Sequence, residues 1–357
     1  MQTRRWFCVS GLMVAGCGGW AQTPGPLRMS APRAAHHVLA MADGSVLFIG
    51  GCVADSCETG PASSTVDRYD PAARQITPLG RLQAPRIDGA AAALPDGSVL
   101  LAGGWSGRSR SDLVERFDPR AGKSETVGRL SAPQDCSAVT LPDGRVVLMG
   151  ERTVDAFDPQ SATVRQITAN SPSLDSSTTT LLDDGRILVA GGGISGPPVD
   201  LAYLFDPDTG KAETTGRLAA PRRKHGAARL PDGRVLLVGG SGAEDRRNKY
   251  RELEVYDPGA GVFSSVGETQ EARFKIPDAV VLLGNGKVLV AGGADYPELI
   301  DPRDWSVRRV DVELGAMLNF SGAVLLASGD VLVAGGYGEN TINPTDQVWI
   351  IPASALV

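Results

Sequence analysis

Histidine is nearly missing from this chain: His36, His37 and His225 are the only three in 357 residues. A copper oxidase centre needs two histidines, two tyrosines and a cross-linkable cysteine converging on one point. His36 and His37 are adjacent on an expected strand, where neighbouring side chains point to opposite faces, so the set is not supplied. No Gly-x-Ser-x-Gly elbow occurs to present a serine nucleophile. No basic run occurs either, and the formal net charge is −6, so nucleic acid is excluded as a partner. No linker divides the chain, which argues for one domain grown by repetition. No metal site and no cofactor are expected.

What the chain has is glycine in a fixed cadence. Seven times an Asp-Gly, Asn-Gly or Ser-Gly turn is followed by a short apolar run that ends in glycine, from Asp43-Gly44 through Gly50-Gly51 to Ser328-Gly329 through Gly335-Gly336. Six of the seven runs end in a glycine pair, the exception being Gly150. A repeat of 41 to 53 residues built from short strands implies a propeller. In the second repeat the expected strands are Asp88 to Leu94, Ser98 to Ala102, Leu113 to Phe117 and Ser124 to Val127, an antiparallel meander. Leu-Pro-Asp-Gly stands at 94–97, 141–144 and 230–233, where proline presets φ, aspartate bonds its own backbone and glycine takes the positive φ. The first strand is rich in small residues, as in Ala90 to Ala93, because the innermost strands crowd a narrow axis. The third ends in Asp-Pro six times, at Asp70, Asp118, Asp158, Asp206, Asp257 and Asp301, since proline terminates the ladder.

The glycine pair, the Tyr or Phe before Asp-Pro and the Pro-Arg leading into the next repeat resemble kelch repeats over residues 22–351. The resemblance implies an all-β, seven-bladed propeller of four-stranded antiparallel blades. The family usually carries tryptophan in the fourth strand, a place that only Trp305 fills here. The seventh repeat lacks a fourth strand of its own. Thr23 to Arg33 resembles the segment Thr77 to Arg86, so residues near 22–29 are expected to complete the last blade and remove its exposed edge.

Residues 1–20 read as an export signal and residues 22–357 as the propeller. Arg4 and Arg5 precede a short apolar stretch, Phe7 to Ala15, and Val14-Ala15-Gly16-Cys17 resembles a lipobox with Cys17 as the lipidated residue. Cleavage after Ala21, giving a soluble secreted protein, is the alternative. Thr3 to Phe7 also resembles a twin-arginine signal, against a general leader made positive by two arginines. Either route places the domain outside the cytoplasm, in the periplasm or on the outer membrane, with the membrane contacted only through the lipid. Without Arg4 and Arg5 the charge falls to −8. Cys52 and Cys57 fit a small disulfide ring in an oxidising compartment, with a two-cysteine metal site as the weaker alternative. Cys136 reads as a buried thiol.

In an antiparallel blade the entry to the first strand and the loop after the glycine pair share one face, the ligand face of kelch-like domains. The entry positions include Asp88, Asp135, Arg223, Lys224, His225 and Lys275, with acids on blades two to four and bases on five and six. Trp105, Arg108, Tyr296 and Tyr337 follow glycine pairs towards the same mouth, and exposed aromatics beside arginines suit recognition. Arg33, Arg86 and Arg222 recur after proline and read as structural. A mouth of this dipolar character suits a protein segment or a small acidic or zwitterionic ligand held by a monomeric, non-catalytic envelope scaffold. Mutual pairing of these charges is the bland alternative; the longest loop at the mouth, Ser241 to Arg251, carries Glu244, Asp245, Arg246, Arg247, Lys249 and Tyr250, with a solvated charged loop as its bland reading. Two further readings stand beside the scaffold: a cofactor-free isomerase of an acidic sugar, with Asp88 or Asp135 and His225 moving protons, and a purely structural surface protein.

Overall fold

The computed structural model describes residues 27–357 apart from 55, 56, 58, 59, 174, 194, 195 and 339–342. The architecture is all-β, with one short 3-10 turn at Ala353–Ala355. The second repeat forms strands at Ala90–Ala93, Val99–Ala102, Leu113–Asp118 and Lys123–Arg129, and the other repeats follow the same plan. In the turn that joins the first two, the Gly97 N–H donates to Leu94 O at 2.9 Å with φ at +84°. Asp96 accepts the Ser98 N–H at 2.9 Å, which is the local bond expected of this turn.

The described strands make six sheets, and here the expectation of seven separate blades needs correction. Five sheets are four-stranded blades, and eight strands form one continuous sheet. That sheet consists of two antiparallel meanders joined at their outer strands, Gln75–Arg86 and Lys123–Arg129, by one parallel bridge between Arg81 and Lys123. Glycine makes the junction possible, because a Cβ on Gly80 would collide with the carbonyl of Gly122. At the other end of the ring, Leu27–Arg33 lies on the outer edge of Thr345–Ile351, pairing Leu27 with Val348 and Arg28 with Gln347. The strand therefore begins within the expected closing segment and runs beyond it, and residues 22–26 lie outside the described part. Met29 from this strand is buried with Val38, Phe48, Tyr69, Leu332 and Val348, which ties the start of the chain to its last blade.

The second strands are buried along their whole length, as in Val46–Ile49, Val99–Ala102 and Val235–Val238. Each is covered on both faces by neighbouring blades, so a continuous apolar run replaces the alternation of a half-buried strand. The core is correspondingly a series of interblade clusters, such as Ala92, Leu100, Val114, Val146, Leu148 and Phe157.

A buried polar latch recurs between these layers. Arg33, Arg86, Arg222 and Arg273 are each at most 1% exposed. Their guanidiniums pair with Asp67, Glu115, Glu254 and Glu298 on the third strand of the blade they enter. Each also donates to a glycine carbonyl of the same blade: Gly50 at 3.1 Å, Gly103 at 2.9 Å, Gly239 at 2.9 Å and Gly292 at 2.6 Å. The acid in turn accepts a backbone N–H three residues before the arginine, from Ser30, Gln83, Ala219 and Gln270. In the third blade Gln134 replaces arginine, bonding Thr153, while Asp155 accepts the Ser131 N–H. Finally, the main-chain carbonyls of Arg33, Arg86, Gln134, Arg222 and Arg273 accept N–H bonds from Gly336, Gly51, Gly104, Gly192 and Gly240 of the preceding blade. Side chain and main chain of one residue thus fasten two adjacent blades.

Candidate functional site

The entry to every inner strand but Cys136–Thr140 turns through a left-handed residue. Ala35, Asp88, Ser176, Lys224, Lys275 and Phe320 have φ between +49° and +61°. Their backbones bond from blade to blade around the axis: Phe320 N–H to Lys275 O at 2.7 Å, Ala35 to Phe320 at 2.9 Å, Asp88 to Ala35 at 3.0 Å and Lys224 to Ser176 at 3.1 Å. Because Ala35 and Phe320 share this rare conformation, it belongs to the architecture rather than to any chemistry of Asp88, Lys224 or Lys275. Beside Asp88 the Gly89 N–H donates to the carboxylate of Asp135 at 2.8 Å, so a side chain stands in for the backbone link.

Inside this annulus lies a cavity of about 240 Å³ whose wall includes His37, Asp88, Ser137, Thr178, Thr179 and Asp278. The wall is polar, and Ser137 and Thr179 join their hydroxyls at 2.8 Å. His37 Nε2 donates to the Asp88 carbonyl at 3.1 Å. Burial and the nearby Arg86 charge bring His37 down to about 4, leaving it neutral. Burial raises the Asp88 carboxyl well above the usual range, reinforced by Asp135, Asp278 and Asp175. Burial and the Asp175 charge push Asp135 up to about 7. Asp278 meets channel water yet is enclosed by the surrounding blades, and that desolvation lifts it to about 6.

The bases expected at the mouth are engaged elsewhere. The loop Ser241 to Arg251 folds back so that Asp245 accepts Arg223 Nε at 3.0 Å and bonds Lys224 Nζ and the Ser241 hydroxyl. Glu244, Arg246, Arg247, Asn248 and Arg251 of this loop are exposed, so it is Asp245 that turns inward. Burial raises Asp245, but hydrogen bonds from Lys224 and Ser241 and the charges of Lys224 and Arg223 outweigh it and hold the carboxyl below its ordinary value. Lys275 is 8% exposed, donates to the Tyr337 hydroxyl at 2.8 Å and sits 5.3 to 5.4 Å from the rings of Phe274, Phe320 and Tyr337. Arg110 bridges Glu151 at 2.5 Å and Asp175 at 3.2 Å.

The remaining candidates disperse. His225 is fully buried, with Nε2 2.9 Å from the Thr178 hydroxyl, and burial together with Arg222 lowers it to about 3. Trp105 is half-buried, bridged to Ile87 and Arg110. Arg108 is exposed. Tyr296 is 9% exposed, with Arg309 stacked at 4.1 Å and Arg273 at 5.6 Å, and Tyr337 is 4% exposed, so neither is the exposed recognition aromatic that was expected. Cys52 and Cys57 form a disulfide, and Cys136 is a buried thiol pushed up by burial. Cys17 lies outside the described residues.

Sequence reasoning missed Asp245 and Asp278. The signal for Asp278 was present: Arg273 precedes its glycine by 19 residues, where Arg33, Arg86 and Arg222 precede theirs by 17. The wall residues Pro277 and Asp278 lie between Arg273 and its glycine, in this longer stretch.

The ring of antiparallel sheets makes this a β-propeller. The Kelch motif model matches residues 87–131, one repeat of the chain, which supports a kelch-like reading of the propeller. No curated protein matches significantly. Among solved structures, a fungal alcohol oxidase of the AA5 family in complex with copper is similar, with 16% identity, a TM-score of 0.75, and coverage of 91% of this chain and 74% of that one. The likeness is one of fold. Among the described residues no group of three or more His, Cys, Asp or Glu side chains is arranged to hold a metal. Neither ring nitrogen of buried His36 has a partner, while His37 and His225 are bonded to different blades, so these donors do not fit a copper centre.

The raised Asp135 carboxyl has a consequence for stability. A folded-state value above the unfolded one means that the folded protein binds the proton more tightly, a stabilisation present at low pH and lost as pH rises towards 7. Asparagine keeps the acceptor for Gly89 and has no proton to lose. The stability of Asp135→Asn relative to the wild type is expected to increase from pH 4 to 7 and then level off in urea unfolding. A pH-independent difference would contradict the assignment.

Proposed function

We propose that the protein is a non-catalytic binding scaffold that holds its ligand at the channel mouth, between the strand entries and the loops after the glycine pairs. One observation carries this reading: a polar cavity in the axis, lined by the strand entries of several blades, among them His37, Asp88, Ser177 and Asp278. A surface protein of purely structural role has no need of such a cavity. The isomerase reading draws support from Asp135 at about 7 and Asp278 at about 6, values suited to proton transfer near neutrality. It is weakened because Arg223 and Lys224, the entry bases that would have to hold the sugar carboxylate, are engaged by Asp245. For the fold, we count the eight-stranded sheet as two blades joined edge to edge, which gives seven around the ring.

A thermal-shift screen with amino acids, short peptides and sugar acids separates the readings, since a ligand of the folded state raises its melting temperature. A shift of several degrees, lost in Asp88→Asn and unaccompanied by turnover, is expected. Conversion of a sugar acid that Asp88→Asn abolishes would replace the scaffold with the isomerase, and the absence of any shift would remove the small-ligand site.

We also propose that residues 1–20 direct export, that Cys17 carries the lipid anchor in the envelope, and that the exported protein is a monomer. Cys17→Ser is expected to move the protein from the membrane fraction to the soluble fraction. Membrane retention of the variant would contradict the anchor.

A further inference from the structure

We propose that the channel cavity binds a small hydroxylated organic cation, a primary ammonium on a polyol-like skeleton; this rests on reading the channel as the ligand site. The first ground is the distribution of charge. Asp88 and Asp278 line the cavity, and neither carboxylate accepts a hydrogen bond among the described residues, while Asp135, Asp175 and Glu151 lie close behind. Arg110, Arg223, Lys224 and Lys275 bond to Glu151 and Asp175, to Asp245, or to Tyr337, and none of the four forms part of the cavity wall. The ionisable acids of the wall are therefore carboxyls, with Lys224, Arg110 and Arg86 acting on the wall from behind it, and a carboxylate-bearing ligand would meet like charge at the surface it touches.

The second ground is the facing wall. Ser137, Ser177, Thr178, Thr179 and Thr180 present a bank of hydroxyls from two adjacent blades. They come in part from the blade whose third strand, Ala202–Phe205, carries Tyr203 where other blades place the latch acid. With about 240 Å³ available, the cavity is smaller than the roughly 300–1,000 Å³ pockets of drug-sized ligands, which limits the occupant to a small molecule.

Glucamine, sorbitol and gluconate test this directly, because one carbon skeleton carries an ammonium, a hydroxyl or a carboxylate. In calorimetric titrations of the whole protein at pH 7.5, glucamine is expected to bind at least about tenfold more tightly than sorbitol, a difference of about 1.4 kcal/mol, with gluconate weakest. The preference should grow from pH 5 to 8 as Asp278 and Asp135 ionise among Asp88, Asp175, Glu151, Arg110, Lys224 and His37. Asp88→Asn with Asp278→Asn should erase the preference, bringing glucamine down to the affinity of sorbitol, in a variant whose cooperative melt shows that it folds; asparagine tolerates the left-handed backbone at 88. Equal binding of glucamine and sorbitol, or tighter binding of gluconate, overturns the cation inference and leaves the channel as the ligand site. Glucamine preference that survives in the double variant overturns the assignment to these aspartates. If none of the three binds and no compound in the broader screen responds to Asp88→Asn, both the inference and the channel-site reading fall.

Discussion

The structure depends on one residue acting in two directions. Where the chain enters a blade, the arginine side chain reaches into that blade, pairing with a third-strand acid and bonding a glycine carbonyl. Its own carbonyl meanwhile accepts an N–H from the blade before. A buried ion pair is weak evidence for stability by itself, because desolvation offsets much of the attraction. Here the acid is also saturated by a backbone N–H, and the arginine by a main-chain oxygen, so the pair fixes the distance and angle between neighbouring layers. The glycine pair follows from the same geometry. A Cβ on Gly103 would lie 2.6 Å from the Gln134 carbonyl, and one on Gly104 would lie 2.8 Å from that of Ile87, so only glycine lets the blades approach closely enough to latch.

This arrangement also decides the character of the mouth. The entry arginines are withdrawn into the blades, where they serve packing. The residues two positions after Arg86, Arg222 and Arg273 then emerge on the left-handed annulus, which delivers Asp88, Lys224 and Lys275 to the rim. The rim bases are drawn back by the Asp245 clasp and by the aromatic enclosure around Lys275, whereas Asp88 and Asp278 stay on the cavity wall. The result is a channel with high carboxyl values and neutral imidazoles, although the entry residues alone read as dipolar.

Much of the fold was legible because its signals are local. The Asp-Gly turns, the apolar second strands and the Asp-Pro stops each depend on a few consecutive residues, and the kelch resemblance follows from their recurrence. The latch acids were legible in principle: Asp67, Glu115, Asp155, Glu254 and Glu298 each stand three residues before the aspartate of an Asp-Pro stop. Of the site, Asp88 and Asp135 were found from their place at strand entries. Asp245 was not, because its role depends on a loop folding back over more than twenty residues of chain. Tyr296 was misread because the arginines that cover it, Arg273 and Arg309, come from other segments. The joining of two blades into one sheet rests on a single parallel bridge between Arg81 and Lys123, beside the close approach of Gly80 to Gly122.

The central claim is that the buried latch holds the ring, and equilibrium unfolding of Arg222→Met, Glu254→Leu and their combination tests it most directly. Each single change strands a buried charge or an unfilled acceptor and is expected to cost about 3–5 kcal/mol, whereas the double change should recover most of that loss. Single variants within about 1 kcal/mol of the wild type would show that the blades are held by apolar packing alone, contrary to this account.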